Sequence, residues 1–129
     1  MDFDIARYFE DFNRNDDASM VSKYFSPDLE VEGPDRVRRG REEWLGLLQV
    51  MHKGVREELR PLLTVREGDK IMAEVEVVFT GVTDRSDFMF GPLKAGETIR
   101  MRFFAAYWLR GGQIVRLHLA FWPPGSAEP

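Results

Sequence analysis

Apolar residues in the first 55 positions have the spacing of helix faces. In the opening segment they stand at i, i+3, i+4 and i+7, and they are Ile5, Tyr8, Phe9 and Phe12. This spacing predicts a helix from about Asp2 to Arg14. A second, short helix should end at Ser26-Pro27-Asp28, because the residue before a proline disfavours helical backbone. A third is expected from about Arg41 to Lys53, with a buried side formed by Trp44, Leu47, Leu48, Met51 and Val55.

The later segments alternate apolar and polar side chains with the period of two that is typical of strands. The predicted strands are Leu29–Glu32, Leu62–Arg66, Ile71–Val82, Glu97–Arg110 and Gln113–Trp122. The segment from Gly81 to Gly96 carries Phe88, Phe90 and Leu93, so it is too apolar for a simple solvated loop and indicates a functional lid. Three helices and then a long, curved antiparallel sheet predict an α+β fold. We expect one domain over residues 1–122 and a C-terminal tail over 123–129.

The hairpin through Gly111-Gly112 can take two registers. A two-residue turn pairs Leu109 with Ile114, whereas a three-residue loop with a glycine bulge pairs Leu109 with Gln113. The second register makes one face almost wholly apolar, so burial favours it. The opposite face should then carry His118, Arg102, Phe104, Ala106, Trp108 and Trp122.

Composition narrows the chemistry. The 129 residues include ten Phe, three Trp and three Tyr, but no Cys and only two His. Thiol nucleophiles, disulfides, iron–sulfur clusters and His/Cys zinc sites are therefore excluded. The sequence also has no nucleophile elbow, phosphate-binding glycine loop or dinucleotide fingerprint, so we expect no cofactor and no metal.

Charge and hydropathy bear on partners and location. The formal net charge of −4 argues against a general nucleic-acid binder. The acidic N-terminus does not resemble a signal peptide, and no apolar run approaches the ~18 residues of a membrane span. We therefore expect a cytoplasmic protein that binds neither nucleic acid nor membrane.

Several short motifs resemble those of one family. They are Tyr8-Phe9, Asn13-Arg14-Asn15-Asp16, Tyr24-Phe25-Ser26-Pro27-Asp28-Leu29-Glu30-Val31, Gly40-Arg41-Glu42 and Gly111-Gly112-Gln113-Ile114-Val115. With the order of elements, they resemble the SnoaL-like branch of the nuclear transport factor 2-like superfamily, which includes ketosteroid isomerases and polyketide cyclases. The resemblance implies a cone in which helices close a curved sheet over an apolar cavity. It also implies a homodimer through the outer sheet face.

The same resemblance gives a mixed answer about catalysis. Tyr8 stands where ketosteroid isomerases have a tyrosine that donates a hydrogen bond to the substrate oxyanion. Gly33 and Ala105 stand where those enzymes have their general base and their second oxyanion donor, a protonated aspartate. Isomerisation of the steroid type therefore lacks two of its three parts. The Asp–Arg–Asp arrangement of epoxide hydrolases that share this architecture finds no convincing match either.

Three residues are nevertheless candidates for catalysis. Tyr8 could position an oxygen, and His52 or Asp35 could move a proton. The plainer interpretations are a core tyrosine, a helix-end histidine and a solvated turn aspartate, and Asp87 on the apolar loop is a further alternative. Ligand-binding residues are expected to be Tyr8, Phe12, Trp44, Leu48, Met51, Phe79, Phe90, Met101, Phe103, Tyr107, Leu119 and Phe121.

Two surfaces carry further hypotheses. Arg36, Arg38, Arg39 and Arg41 could bind a carboxylate or phosphate at a pocket mouth, or form a solvated loop balanced by acids. The outer sheet face is expected to form a dimer interface, because an exposed apolar patch of this kind favours association with a second copy. Its residues are Phe104, Trp108, Trp122 and His118. We therefore expect a dimer that binds a small hydrophobic, cyclic molecule, with isomerase, cyclase or dehydratase activity by acid/base chemistry. A non-catalytic ligand-binding or dimerisation module is the alternative.

Overall fold

The computed structural model describes residues 2–122, in which three helices pack on one sheet of six strands. The helices are α1 (Ile5–Phe12), α2 (Asp17–Tyr24) and α3 (Arg41–Met51). The strands are β1 (Phe25–Glu32), β2 (Val37–Arg39), β3 (Val55–Glu67), β4 (Lys70–Gly81), β5 (Thr98–Arg110) and β6 (Gln113–Trp122). The predicted α+β class is confirmed, and the predicted tail lies outside the described residues.

Local capping fixes where the first two helices begin, and α1 starts at Ile5, after the predicted Asp2. Asp4 caps α1 by accepting a hydrogen bond from the Arg7 backbone N–H at 3.2 Å, and Asp16 caps α2 in the same way. The third helix ends at Met51, so Val55, expected on its buried side, is the first residue of β3. That strand begins seven residues before the predicted Leu62, and this shift decides where the functional side chains lie.

The strands run in the order β2-β1-β6-β5-β4-β3. All neighbours pair antiparallel except β1 and β6, which pair parallel with Val31 opposite Leu117. The sheet is therefore mixed, not purely antiparallel as predicted. Because β1 returns from α2 to lie beside the last strand, β2 and β3 become the two edges of the sheet.

The hairpin between β5 and β6 combines features of both predicted registers. Its turn is the two-residue one, with Leu109 opposite Ile114, so the predicted pairing of Leu109 with Gln113 is wrong. The register then shifts so that Trp108 lies opposite Arg116, which leaves Val115 as the extra residue of a bulge. This shift restores the predicted faces, because His118 lies opposite Ala106, on the side away from the helices.

The core lies between the helices and the inner face of the sheet. Phe25, Phe79 and Ile114 are fully buried there. The segment from 82 to 97 packs on the same side, with Phe88 and Leu93 buried. Within residues 2–122, no helix has the length and apolar character needed to cross a membrane.

Candidate active site

A cavity of about 340 Å³ opens between the helices and the inner sheet face. Its wall is mainly apolar and includes side chains from α1, α3, β4, β5, β6 and the 82–97 segment. Of the predicted ligand-binding residues, Met101 is buried in the core outside this wall. The others lie in the wall: Tyr8, Phe12, Trp44, Leu48, Met51, Phe79, Phe90, Phe103, Tyr107, Leu119 and Phe121.

The chemically distinctive group of the cavity is the carboxyl group of Glu57. It lies in the wall on β3 and its residue is 5% exposed. Its Oε1 lies 2.7 Å from Nε2 of His52, whose Nδ1 lies 2.7 Å from Oδ2 of Asp17. One imidazole ring therefore connects two carboxylates, and all three side chains are at most 10% exposed.

Two tyrosine hydroxyls share this part of the cavity. Tyr8 of α1 and Tyr107 of β5 both line the wall, with ring centroids 5.9 Å apart. Burial raises the pKa of both hydroxyls, as does the nearby charge of Glu57. Both therefore stay protonated and can donate hydrogen bonds. The Nε1–H of Trp44, another wall residue, is buried without a hydrogen-bond partner among the described residues.

Two local features of the sequence position Glu57 relative to α1 and to His52. The Asn13 side chain, just after α1, accepts a hydrogen bond from the Leu59 N–H at 2.8 Å and donates one to the Leu59 carbonyl at 2.9 Å. This pair of bonds ties the end of α1 to β3. Gly54, with φ of 72°, makes the turn between α3 and β3 that lets His52 meet Glu57.

In this cluster, burial and charge pairing shift the pKa values of His52 and Glu57 in opposite directions. Burial alone would lower the pKa of His52, but the hydrogen bonds that its ring donates to Asp17 and Glu57 outweigh this effect and raise the pKa to about 9. Burial raises the pKa of Glu57, and the neighbouring His52 partly offsets that rise. At neutral pH the ring is therefore an imidazolium that holds Glu57 in place. A carboxyl group with a raised pKa in an apolar wall is suited to accept and return a proton.

The other sequence candidates take different positions in the structure. His52 is not in the cavity wall, and both of its ring nitrogens are occupied by carboxylates, so it has no nitrogen free for a substrate proton. Asp35 is in the wall but exposed, paired with Arg36 at 3.4 Å. Asp87 pairs with Arg85 at 2.9 Å and does not reach the cavity. Gly33 and Ala105 are in the wall. The two positions at which ketosteroid isomerases have acids therefore face the cavity here, but they carry no acidic side chain.

The basic segment from 36 to 41 is divided by the fold. Arg36 and Arg38 line the cavity. Arg39 instead pairs with Glu30 at 2.6 Å, and Arg41 donates to the Phe25 carbonyl at 3.2 Å, so neither belongs to the wall.

Sequence reasoning missed Glu57 and Asp17. The run Arg56-Glu57-Glu58 has the composition of a solvated surface, and the predicted strand began after it. The available signal was strand parity: Val55, Glu57 and Leu59 alternate onto one face, and the outer two are apolar. Asp17 follows the capping residue Asp16, and a second acid at a helix start is ordinarily a response to the helix dipole.

The chain is a small α+β domain with a mainly apolar cavity, and comparison places it in a family. The SnoaL-like domain family matches residues 5–117, so the chain belongs to the SnoaL-like family. No curated protein matches it in sequence.

Solved structures show the same fold. A candidate polyketide cyclase from Xanthomonas campestris is 25% identical, with a TM-score of 0.75 over 90% of this chain and 85% of that one. A candidate hydroxylase from Streptomyces galilaeus is 17% identical, with a TM-score of 0.73 over 90% and 74% of the two chains. An epoxide hydrolase from M. tuberculosis is 18% identical, with a TM-score of 0.68 over 90% and 80%.

Proposed function

We propose that this protein is a cofactor-independent acid/base enzyme that acts on a small, hydrophobic, cyclic carbonyl compound. Glu57 is the proton-transfer group, and Tyr8 and Tyr107 bind the carbonyl oxygen. His52, itself held by Asp17, keeps the Glu57 carboxylate in position. The isomerase, cyclase and dehydratase reactions that we consider for it share this first step of proton removal next to a carbonyl.

The proposed step is a transfer of one proton. The Glu57 carboxylate removes the proton from the carbon beside the carbonyl, and the electron pair of that C–H bond moves into the carbonyl to form an enolate. The tyrosine hydroxyls donate hydrogen bonds to the enolate oxygen, where the charge develops. The protonated Glu57 then returns the proton to the same carbon or to another one, which restores the carboxylate.

One observation carries this proposal: a buried carboxyl group lies in a mainly apolar cavity that also holds two protonated tyrosines. Burying an acid in a mainly apolar wall costs free energy, and binding an uncharged apolar ring does not require an acid there. The likeness to a candidate polyketide cyclase adds support, since closing a ring through carbon also begins with an enolate.

Solvent exchange tests the step without knowledge of the natural substrate. The C2 protons of 1-tetralone, an apolar bicyclic ketone, exchange slowly in D2O, and NMR follows their loss. We expect the protein to accelerate this exchange and Glu57→Gln to reduce the acceleration by about 100-fold or more. Glu58→Gln is the matched control, because Glu58 is half-exposed and pairs with Arg60. Binding of 1-tetralone without accelerated exchange would favour the non-catalytic module.

We also propose that the outer sheet face forms a homodimer interface, as the sequence predicts from Phe104, Trp108, Trp122 and His118. Strand pairing extends this patch, because Met72 lies opposite both Val65 and Ala106 on the same face. Met72, Val65 and Leu63 are each more than half exposed. An apolar area of this extent on a small domain favours a self-complementary contact.

A further inference from the structure

The charged side chains of the cavity lie at two separate places. Glu57 is a buried residue of the wall on β3, whereas Asp35, Arg36 and Arg38 are wall residues on or just before β2. We call this more exposed part of the wall the mouth. Arg38 belongs to β2 and Glu57 to β3, and these strands are the opposite edges of the sheet. The cavity therefore extends between a proton-transfer group at one edge and guanidinium groups at the other.

Arg38 is the guanidinium that the fold leaves available. Its side chain is 21% exposed, and its contact with Glu43 joins Nη1 to Oε1 at 4.0 Å, which is too long for a hydrogen bond. Arg36 differs, because its Nε faces Asp35 at 3.4 Å. Glu43 is itself half-exposed, so water screens its charge. A guanidinium presents five N–H donors, and those of Arg38 have no short contact with a carboxylate among the described residues.

We propose that the ligand is an apolar ring system carrying one anionic substituent, such as a carboxylate, and that Arg38 binds this group at the mouth. A guanidinium binds a carboxylate through two parallel hydrogen bonds, which fixes the direction of the ligand as well as its position. The reacting carbonyl then lies at the far end, beside Glu57. This inference rests on the proposed function, since it names the class of ligand for the same cavity.

Two fluorescent probes with one framework provide the test. 8-Anilinonaphthalene-1-sulfonate is anionic, and N-phenyl-1-naphthylamine is the same molecule without the sulfonate. We expect Arg38→Gln to weaken binding of the sulfonate about tenfold and to change binding of the neutral probe less than about twofold, because one charged hydrogen-bonding partner is lost. Arg38→Lys should fall between the two.

Arg39→Gln is the matched control, because it removes the same charge from the next residue outside the cavity wall. If it weakens the sulfonate as much as Arg38→Gln does, general electrostatics explain the effect and the proposal is overturned. Equal losses for both probes in Arg38→Gln also overturn it. Either result leaves the exchange reaction of Glu57 untouched, whereas failure of both probes to bind the wild-type protein overturns the ligand cavity as well.

Discussion

Nε2 of His52 lies 2.7 Å from Oε1 of Glu57, and this contact joins the C-terminal end of α3 to the wall of the cavity. The ring is held on its other side by Asp17, so the imidazolium and the two carboxylates form a buried unit. Breaking such a unit by removing one partner is costly, because it leaves a buried charge without compensation. The contact therefore links the stability of the fold to the chemistry of the cavity.

Stability should fall as pH rises through the range in which His52 loses its proton. The pKa of His52 is raised from an ordinary 6.5 to about 9 in the folded state. Its contribution is therefore fully present below about pH 6.5 and is lost as pH rises through about 9. We expect the free energy of unfolding, measured by urea titration, to decrease by on the order of 2–3 kcal/mol across this window from His52 alone.

The second histidine supplies the control for that measurement. His118 is 37% exposed in its side chain and lies 3.9 Å from Glu32 on the outer sheet face. His118→Asn should leave the decrease in place, whereas His52→Asn should remove most of it. A wild-type protein whose stability is unchanged between pH 6.5 and 9.5 would contradict the buried imidazolium.

Asp17→Asn tests the outer half of the same unit. The amide keeps a hydrogen-bonding oxygen for Nδ1 of His52 but loses the charge, so the pKa of His52 should fall toward its ordinary value. We expect a loss of about 1–3 kcal/mol in stability at pH 7, measured by urea unfolding. Glu10→Gln, an exposed acid on α1, should change stability by less than about 0.5 kcal/mol. Equal effects of the two substitutions would argue against the cluster.

Helix α1 could be predicted from the sequence, whereas the role of Glu57 could not. The helix spacing of Tyr8, Phe9 and Phe12 depends on local order alone, and it predicted the buried side of α1. Glu57 could not be found in this way, because its role depends on a contact with His52, 5 positions away. His52 in turn contacts Asp17, 35 positions away from it. The predicted start of β3 was also late, so the parity of Glu57 within the strand was not considered.

The β5–β6 hairpin gives the same lesson for register. Burial of Phe103, Tyr107 and Leu117 on one face correctly predicted the facing of His118. The position of the bulge could not be predicted from the residues of the turn, because the bulge lies at Val115, beyond the two glycines. Burial decides which face of the sheet each side chain takes. The position of the extra, unpaired residue of a bulge depends instead on how both strands pack.

Gly54→Ala should disturb both the cavity and the segment from 82 to 97. A Cβ at Gly54 would clash with Oγ1 of Thr83, and the φ of 72° is strained for alanine. The Gly54 carbonyl also accepts hydrogen bonds from the N–H groups of Val82 and Thr83. We expect a loss of about 2–4 kcal/mol in thermal or urea unfolding, from left-handed backbone and the clash together.

Gly68→Ala separates the two causes. Gly68 also has positive φ, 57°, but no atom lies within 4 Å of the position that a Cβ would take. Its substitution should cost only the backbone term, about 1–2 kcal/mol. Comparable losses at both glycines would mean that Thr83 moves aside freely and that the contact with the segment from 82 to 97 contributes little to stability.

Tyr8→Phe should discriminate between ligands that differ by one oxygen. Tetralin is the hydrocarbon counterpart of 1-tetralone, and both resemble the apolar rings that the cavity wall is expected to hold. Loss of the Tyr8 hydroxyl should weaken binding of 1-tetralone about five- to tenfold, since a hydrogen bond contributes about 1 kcal/mol. Binding of tetralin, followed by saturation-transfer NMR, should hardly change. A parallel loss for both compounds would place the hydroxyl outside the ligand site.

The dimer is tested at the centre of the outer face. Met72 is 62% exposed and lies between Val65 and Ala106 in adjacent strands, so a charge there would have to be desolvated on association. Sedimentation velocity at micromolar concentration should give twice the chain mass of 15.0 kDa for the wild-type protein. Met72→Glu should raise the dissociation constant about tenfold or more, whereas Val82→Glu, on an equally exposed residue beyond the end of β4, should not. A wild-type monomer, or equal dissociation by both variants, would show that this face is not the interface.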